Sequence, residues 1–189
     1  MLKVTLLVGN PKADSRTLRI AKTLVVKLLA EDSYTLTVID LANYSSTIFT
    51  WPSAEMNELT QAAADSDLLV VASPTYKATY TGLLKAFLDR YSNKGLRGVI
   101  AIPVMTGADL SHSMGPDVHL RPLLVELGAS VPTSGLYFVA SQMDHLDEIA
   151  DAWAREASEV LNLLLPLIHG AAAYTDGTEP ALEPAGAHR

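Results

Sequence analysis

Short apolar, β-rich runs that stop at Gly, Pro, Asn or Ser alternate along this chain with segments of helical spacing, and this alternation limits the possible folds more than any other feature. Leu2 to Val8 is a continuous run of the kind expected for a strand covered on both faces, and it ends at Gly9-Asn10-Pro11. From Ser15 to Ala30, Leu18, Ala21, Leu24, Val25, Leu28 and Leu29 recur at helical spacing, with Arg19, Lys22 and Lys27 between them. The same reading predicts strands at Tyr34 to Ile39, Leu68 to Ala72, Gly98 to Met105 and Val131 to Val139, the last despite Pro132. Helices are expected at Glu55 to Asp65, Thr81 to Tyr91, Asp117 to Leu127 and Asp147 to Leu165. The implied fold is α/β: a five-stranded parallel sheet with helices on both faces, a three-layer α/β/α sandwich. Its ligand crevice would lie beyond the carboxyl ends of the strands.

At 189 residues, 49% of them hydrophobic, the chain has the size and apolar content of one globular domain, expected at residues 1–169. After His169 the sequence turns to Ala, Gly, Pro, Thr and Glu, so 170–189 is expected to be a disordered tail. A net charge of −7 with no Lys/Arg run argues against nucleic acid, whose backbone demands clustered cations. No apolar stretch reaches the ~18 residues of a membrane span, because even Val160 to Ile168 carries Asn162 and Pro166. The apolar run at the N-terminus has one charge and no small-residue cleavage site behind it, and a cytoplasmic protein with no membrane partner is expected. Zero cysteines remove disulfides, thiolate metal sites, iron–sulfur clusters and cysteine nucleophiles together, which leaves any redox chemistry to a bound cofactor.

The loop Gly9-Asn10-Pro11-Lys12-Ala13-Asp14-Ser15-Arg16-Thr17 joins the first strand to the first helix, where backbone N–H groups and the helix dipole converge on an anion. Ser15 and Thr17 add hydroxyl donors and Lys12 and Arg16 add charge, a set that suits a terminal phosphomonoester. An ordinary strand–helix connection in which Ser15 caps the helix accounts for the same residues. Neither Gly-x-x-x-x-Gly-Lys-Ser/Thr nor Gly-x-Gly-x-x-Gly occurs, so nucleotide sites of those two kinds have no support. Without those glycines Asp40 reads as a solvent-facing loop residue rather than a ribose-binding acid.

A second loop, Ser73-Pro74-Thr75-Tyr76-Lys77-Ala78-Thr79-Tyr80-Thr81-Gly82, also follows a buried strand and precedes a helix. Pro74 stiffens its backbone and Tyr76 offers a face or edge to a flat heterocycle, although two tyrosines packed under the loop fit the pattern as well. A third strand end, Pro103 to Asp109, brings Thr106 and Gly107 to the same cleft. His112 and His119 read more readily as surface or interface residues than as a catalytic base. Asp144, His145, Asp147 and Glu148 gather at a helix start, where acids complement the dipole, and no metal site is assigned. Trp51 and Trp153 lie in no motif and are assigned to core or interface packing.

Taken together, Gly9-Asn-Pro-Lys-x-x-Ser-Arg-Thr and Ser73-Pro-Thr-Tyr-Lys-Ala-x-Tyr-x-Gly-Leu-Leu-Lys-Ala-Phe-Leu-Asp89 resemble the NADPH-dependent FMN reductase family, in particular the reductases that feed alkanesulfonate and methanesulfonate monooxygenases. The likeness continues through Asp117-x-x-Leu-Arg-Pro-Leu-Leu and Gly135 to Gln142, and runs from residue 2 to residue 165. It implies a flavodoxin-like fold, with the FMN phosphate on Asn10, Lys12, Ser15, Arg16 and Thr17. The isoalloxazine would lie beside Pro74, Thr75, Tyr76, Lys77, Thr106 and Gly107. It further implies NADPH or NADH as reductant, homodimers or homotetramers, and a two-component monooxygenase that receives the reduced flavin.

No side chain is assigned to catalysis, since hydride transfer to a flavin needs no protein acid. Arg16, Lys77 and Arg121 are each candidates for a phosphate of the reductant. The family usually has Ser where Asn10 stands and Arg where Lys12 stands; the donor and the charge survive, but Lys lacks the bidentate fork. Some flavin-releasing members carry an inserted aromatic at a tetramer interface near Asp117, where this sequence has Val118 and His119. A reductase of quinones, azo dyes or metal oxyanions that holds its FMN tightly is one alternative, and a flavodoxin-type electron carrier is another.

Overall fold

Strand residues alternate between two hydrophobic cores, and this alternation builds the layers. In β1 (Leu2–Val8), Val4, Leu6 and Val8 face one core and Leu7 the other; in β3 (Leu68–Pro74), Leu68, Val70 and Ala72 oppose Leu69 and Val71 in the same way. The computed structural model describes residues 1–170, with side chains to residue 167. β2 (Tyr34–Asp40), β4 (Ile100–Gly107) and β5 (Leu136–Val139) complete a parallel sheet of order β2-β1-β3-β4-β5. This is the flavodoxin-like order, and its strand connections part between β1 and β3, where the crevice forms.

One face is covered by α1 (Arg16–Leu28) and α5 (Leu146–Gly170), which bury Leu18, Leu24 and Val25 against Ala150, Trp153 and Leu161. The other is covered by α2 (Ala54–Ala64), α3 (Gly82–Leu88) and α4 (Arg121–Glu126), through Met56, Leu84, Phe87, Leu88 and Leu124. The first three helices start on a hydroxyl cap. Ser15, Ser53 and Thr81 each accept the N–H three residues on, satisfying a donor the first turn would otherwise strand.

Besides shifts of two or three residues at the ends of α3 and β4, three elements depart from the sequence reading. β5 begins at Leu136 rather than Val131: Ser130 makes a single bridge to Ile100, and the chain then leaves the edge, because Pro132 has no N–H to donate to a ladder. The helix expected over Asp117 to Leu127 opens with a π-helical turn, Pro116–Leu120, closed from Arg121 N–H to the Pro116 carbonyl, before α4 proper begins. Such a turn holds one residue more than an α-helical turn. α5 continues through Pro166, beyond its expected end at Leu165; a proline forfeits one ladder bond, and the apolar face carrying Leu161 and Leu165 holds the helix on the core. The tail expected at 170–189 lies, from residue 171, outside the described residues. Among those residues no helix is long and apolar enough to cross a membrane.

Candidate functional site

Gly9 is where the site begins. Its N–H donates to the Ala72 carbonyl at 2.8 Å and its own carbonyl accepts the buried Thr81 hydroxyl, so one residue binds the loop after β1 both to β3 and to the loop that follows β3. A Cβ there would stand 2.4 Å from the Leu84 Cβ, so only glycine allows α3 to approach this closely. Asn10 Nδ2 donates to Thr17 Oγ1 at 3.0 Å, Asn10 Oδ1 accepts the Lys12 N–H at 3.0 Å, and Thr17 Oγ1 contacts Thr106 Oγ1 at 3.2 Å. The chain from Gly9 to Thr17 thereby curls over the N-terminus of α1, with Asp14 in the left-handed region at φ 50°.

The second loop closes as a tight reversal. Tyr76 N–H donates to the Thr79 carbonyl at 2.8 Å, Thr79 N–H donates back at 3.3 Å, and Lys77 and Ala78 take φ values of 51° and 73°. Two consecutive positive φ values define a type I′ turn. Thr75 N–H to the Thr106 carbonyl at 2.7 Å fixes this loop to the third, and Thr81 N–H to Ser73 Oγ at 3.0 Å braces it from beneath. Gly107 leaves room for Tyr137, whose hydroxyl donates to the Asp109 carbonyl at 2.9 Å; a Cβ on residue 107 would lie 1.8 Å from that oxygen.

The three loops enclose a cleft of about 430 Å³ at the carboxyl edge of the sheet. Its first wall is Asn10, Lys12, Asp14, Ser15, Arg16 and Thr17, its second Pro74, Thr75 and Tyr76, and its third Thr106, Gly107 and Ala108. Ile20 and Ala140 complete it. Arg16 Nη1 reaches over to the Ala140 carbonyl at 3.2 Å. The anion-attracting end holds the α1 N-terminus, Lys12 and Arg16, with Asp14 the one acid among the lining residues. Thr75 Oγ1 is a buried hydroxyl without a hydrogen-bond partner.

Residues 2–144 match the sequence pattern of the NADPH-dependent FMN reductase family. The chain belongs to that family. Among curated members, it is similar to the NADH-dependent FMN reductase SfnF of Pseudomonas putida, at 34% identity over 158 residues, covering 79% of this chain and 85% of the relative. It is also similar to FMN reductase (NADPH) of Escherichia coli K12, at 29% identity over 144 residues and 75% of each chain. Among solved structures, the apo form of the NADH:FMN oxidoreductase EmoB superposes with a TM-score of 0.72 at 28% identity, over 82% of this chain and 89% of that one. The EmoB superposition shows the same fold in that relative.

Several side chains stand elsewhere than the sequence implies. Lys77 is exposed at the tip of the type I′ turn and is not part of the cleft wall. Asp40 is buried at 5% exposure, not solvent-facing: it ends β2 beside Val8, under the first loop. Arg121 is committed to structure, since its guanidinium donates to Asp117 and to the Val131 and Thr133 carbonyls, which removes it from the cations free to meet a phosphate. Trp153 is core, whereas Trp51 is exposed beneath the Arg90 guanidinium, 3.9 Å from its ring centroid. The acids of Asp147 and Glu148 do stand in the first turn of α5, and no metal-binding cluster occurs among the described residues. Asp14, Ile20, Ala108 and Ala140 also line the cleft; Ala140 directly follows β5, whose end at Val139 matches the sequence expectation, and strand ends at this edge are where lining residues gather.

Proposed function

We propose that this chain is an NAD(P)H-dependent FMN reductase that delivers reduced flavin to a partner monooxygenase. One observation carries the reading: a single cleft joins an anion-attracting helix N-terminus to a wall with a flat aromatic residue and an unpartnered hydroxyl. These residues fit FMN. Asn10, Lys12, Ser15, Arg16 and Thr17 would hold the phosphate, and Pro74, Thr75, Tyr76, Thr106 and Gly107 would flank the ring. Thr75 Oγ1 is then a buried group with a polar ring edge to meet. FMN, when bound, supplies the hydride acceptor; the chain binds it, orients it and leaves one side open to the nicotinamide. Lys77, on the turn tip beside the cleft, is available to a phosphate of either NADH or NADPH.

Leu110, Met114 and Val118 are exposed at 67%, 63% and 51% and recur every fourth residue on the segment that ends in the π-helical turn. We read them as the face through which a homodimer or homotetramer assembles. A cytoplasmic location follows from the need for NAD(P)H. The deciding experiment is steady-state NAD(P)H oxidation by the purified protein with and without added FMN, FAD or a quinone. Turnover should rise with FMN toward saturation; a yellow protein whose turnover ignores FMN and responds to quinone would replace this reading with a reductase that retains its flavin.

A further inference from the structure

We propose that Asp40 is a positioning residue for the anion-binding loop, acting on it through the backbone of Asp14. The inference rests on the reading of Gly9 to Thr17 as the phosphate site. Asp40 is the last residue of β2 and pairs in register with Val8, the residue from which that loop departs. Its Oδ2 accepts the Asp14 N–H at 3.1 Å, while its Oδ1 is buried without a partner. A carboxyl group buried to this degree beneath an anion site calls for a physical role, because an acid there works against the binding of a phosphate.

The conformation it holds provides that role. Asp14 lies at φ 50°, a region disfavoured for any residue with a Cβ, and it immediately precedes Ser15, the cap of α1. A left-handed residue at this point turns the chain into α1, where Ser15, Arg16 and Thr17 line the cleft. The ends of the loop are secured elsewhere, by Gly9 to Ala72 and by the Ser15 cap. The bond to Asp40 ties its middle to the sheet across 26 positions of sequence. Asp40 is absent from the cleft wall, so it favours the ligand through the loop and not by contact.

The test compares Kd for FMN and for riboflavin, which lacks the phosphate, by quenching of flavin fluorescence. The wild-type protein is compared with Asp40→Ala, Asp40→Glu, Asp40→Asn and the double variant Asp40→Ala/Asp14→Gly. Asp40→Ala should reduce the preference for FMN over riboflavin about tenfold, equivalent to ~1.4 kcal/mol at 25 °C, with riboflavin binding unchanged. Asp40→Glu keeps the charge but displaces the acceptor and should behave like alanine, which also serves if the alanine variant does not fold. Asp40→Asn keeps an acceptor in place and should retain the preference. Glycine at 14 adopts positive φ without strain and should restore it in the double variant. A wild-type protein that binds FMN no better than riboflavin would sink the phosphate reading itself. A preference that survives both Asp40→Ala and Asp40→Glu, is lost in Asp40→Asn, or falls only because riboflavin binding falls equally, would overturn the role of Asp40.

Discussion

Gly9→Ala tests how tightly the site and the fold are joined. The new Cβ would be 2.4 Å from the Leu84 Cβ and 3.2 Å from its Cα, whereas nonbonded carbons settle at ~3.5–4.0 Å. Because one of the crowded atoms is backbone, a rotamer change cannot relieve the contact; the loop and the first turn of α3 must move apart by ~1 Å. Overpacking of this kind costs ~1–3 kcal/mol. The same movement breaks the bonds from Gly9 to Ala72 and from Thr81 to Gly9, each worth ~1 kcal/mol net, for a total loss of ~3–5 kcal/mol. Urea unfolding followed by circular dichroism should show a lower midpoint at an unchanged slope, and FMN binding should weaken at least tenfold as the first two walls separate. Gly82→Ala is the matched control: a Cβ there meets nothing within 4 Å, and the residue opens α3, so the midpoint should hold or rise slightly. Equal midpoints for Gly9→Ala and the wild type would refute the claim that this contact sets the spacing of the two loops.

Tyr91 is half-buried, its hydroxyl donates to the Thr60 carbonyl at 3.0 Å, and desolvation raises its pKa above the ordinary 10.0. The unfolded chain therefore gives up this proton first, so stability is fully present below pH 10 and falls as the pH rises beyond it; urea midpoints from pH 8 to 11 should show that fall, with a smaller one in Tyr91→Phe. Replacing Lys77-Ala78 with Asn-Gly removes the strain of two positive φ values and should raise stability by ~1 kcal/mol, read as an increase in Tm. Asp117→Ala leaves the Gly135 N–H and the Arg121 guanidinium without their shared acceptor and should cost ~1–3 kcal/mol in urea unfolding, with little change in FMN affinity because Asp117 is not part of the cleft wall.

The layer architecture was legible because β1 and β3 are short continuous apolar runs, buried on both faces, while α1 and α5 bury one face at a period of 3.6 residues; both signals are local and survive without knowledge of the partner. Glycine and proline marked the turns for the same reason: they act on the backbone within a few residues. At β5 the sequence carried a warning that the continuous reading from Val131 passed over: Pro132 and Gly135 weigh against a strand, and the ladder to β4 begins only at Leu136. The π-helical turn escaped as well, because it depends on how Asp117 and Arg121 clasp the chain around Val131 to Gly135.

The sequence by itself determined a parallel α/β sheet, a first loop suited to an anion, a second loop with a flat side chain, and the absence of thiol chemistry. Those properties are written in neighbouring residues. The tertiary structure alone decided that Gly9 must be glycine, through a helix 75 positions further along; that Arg121 is bound to carbonyls; and that Asp40 lies beneath the first loop. Each of these depends on contacts between segments distant in sequence, and their distances are fixed only when the sheet brings the loops to one edge.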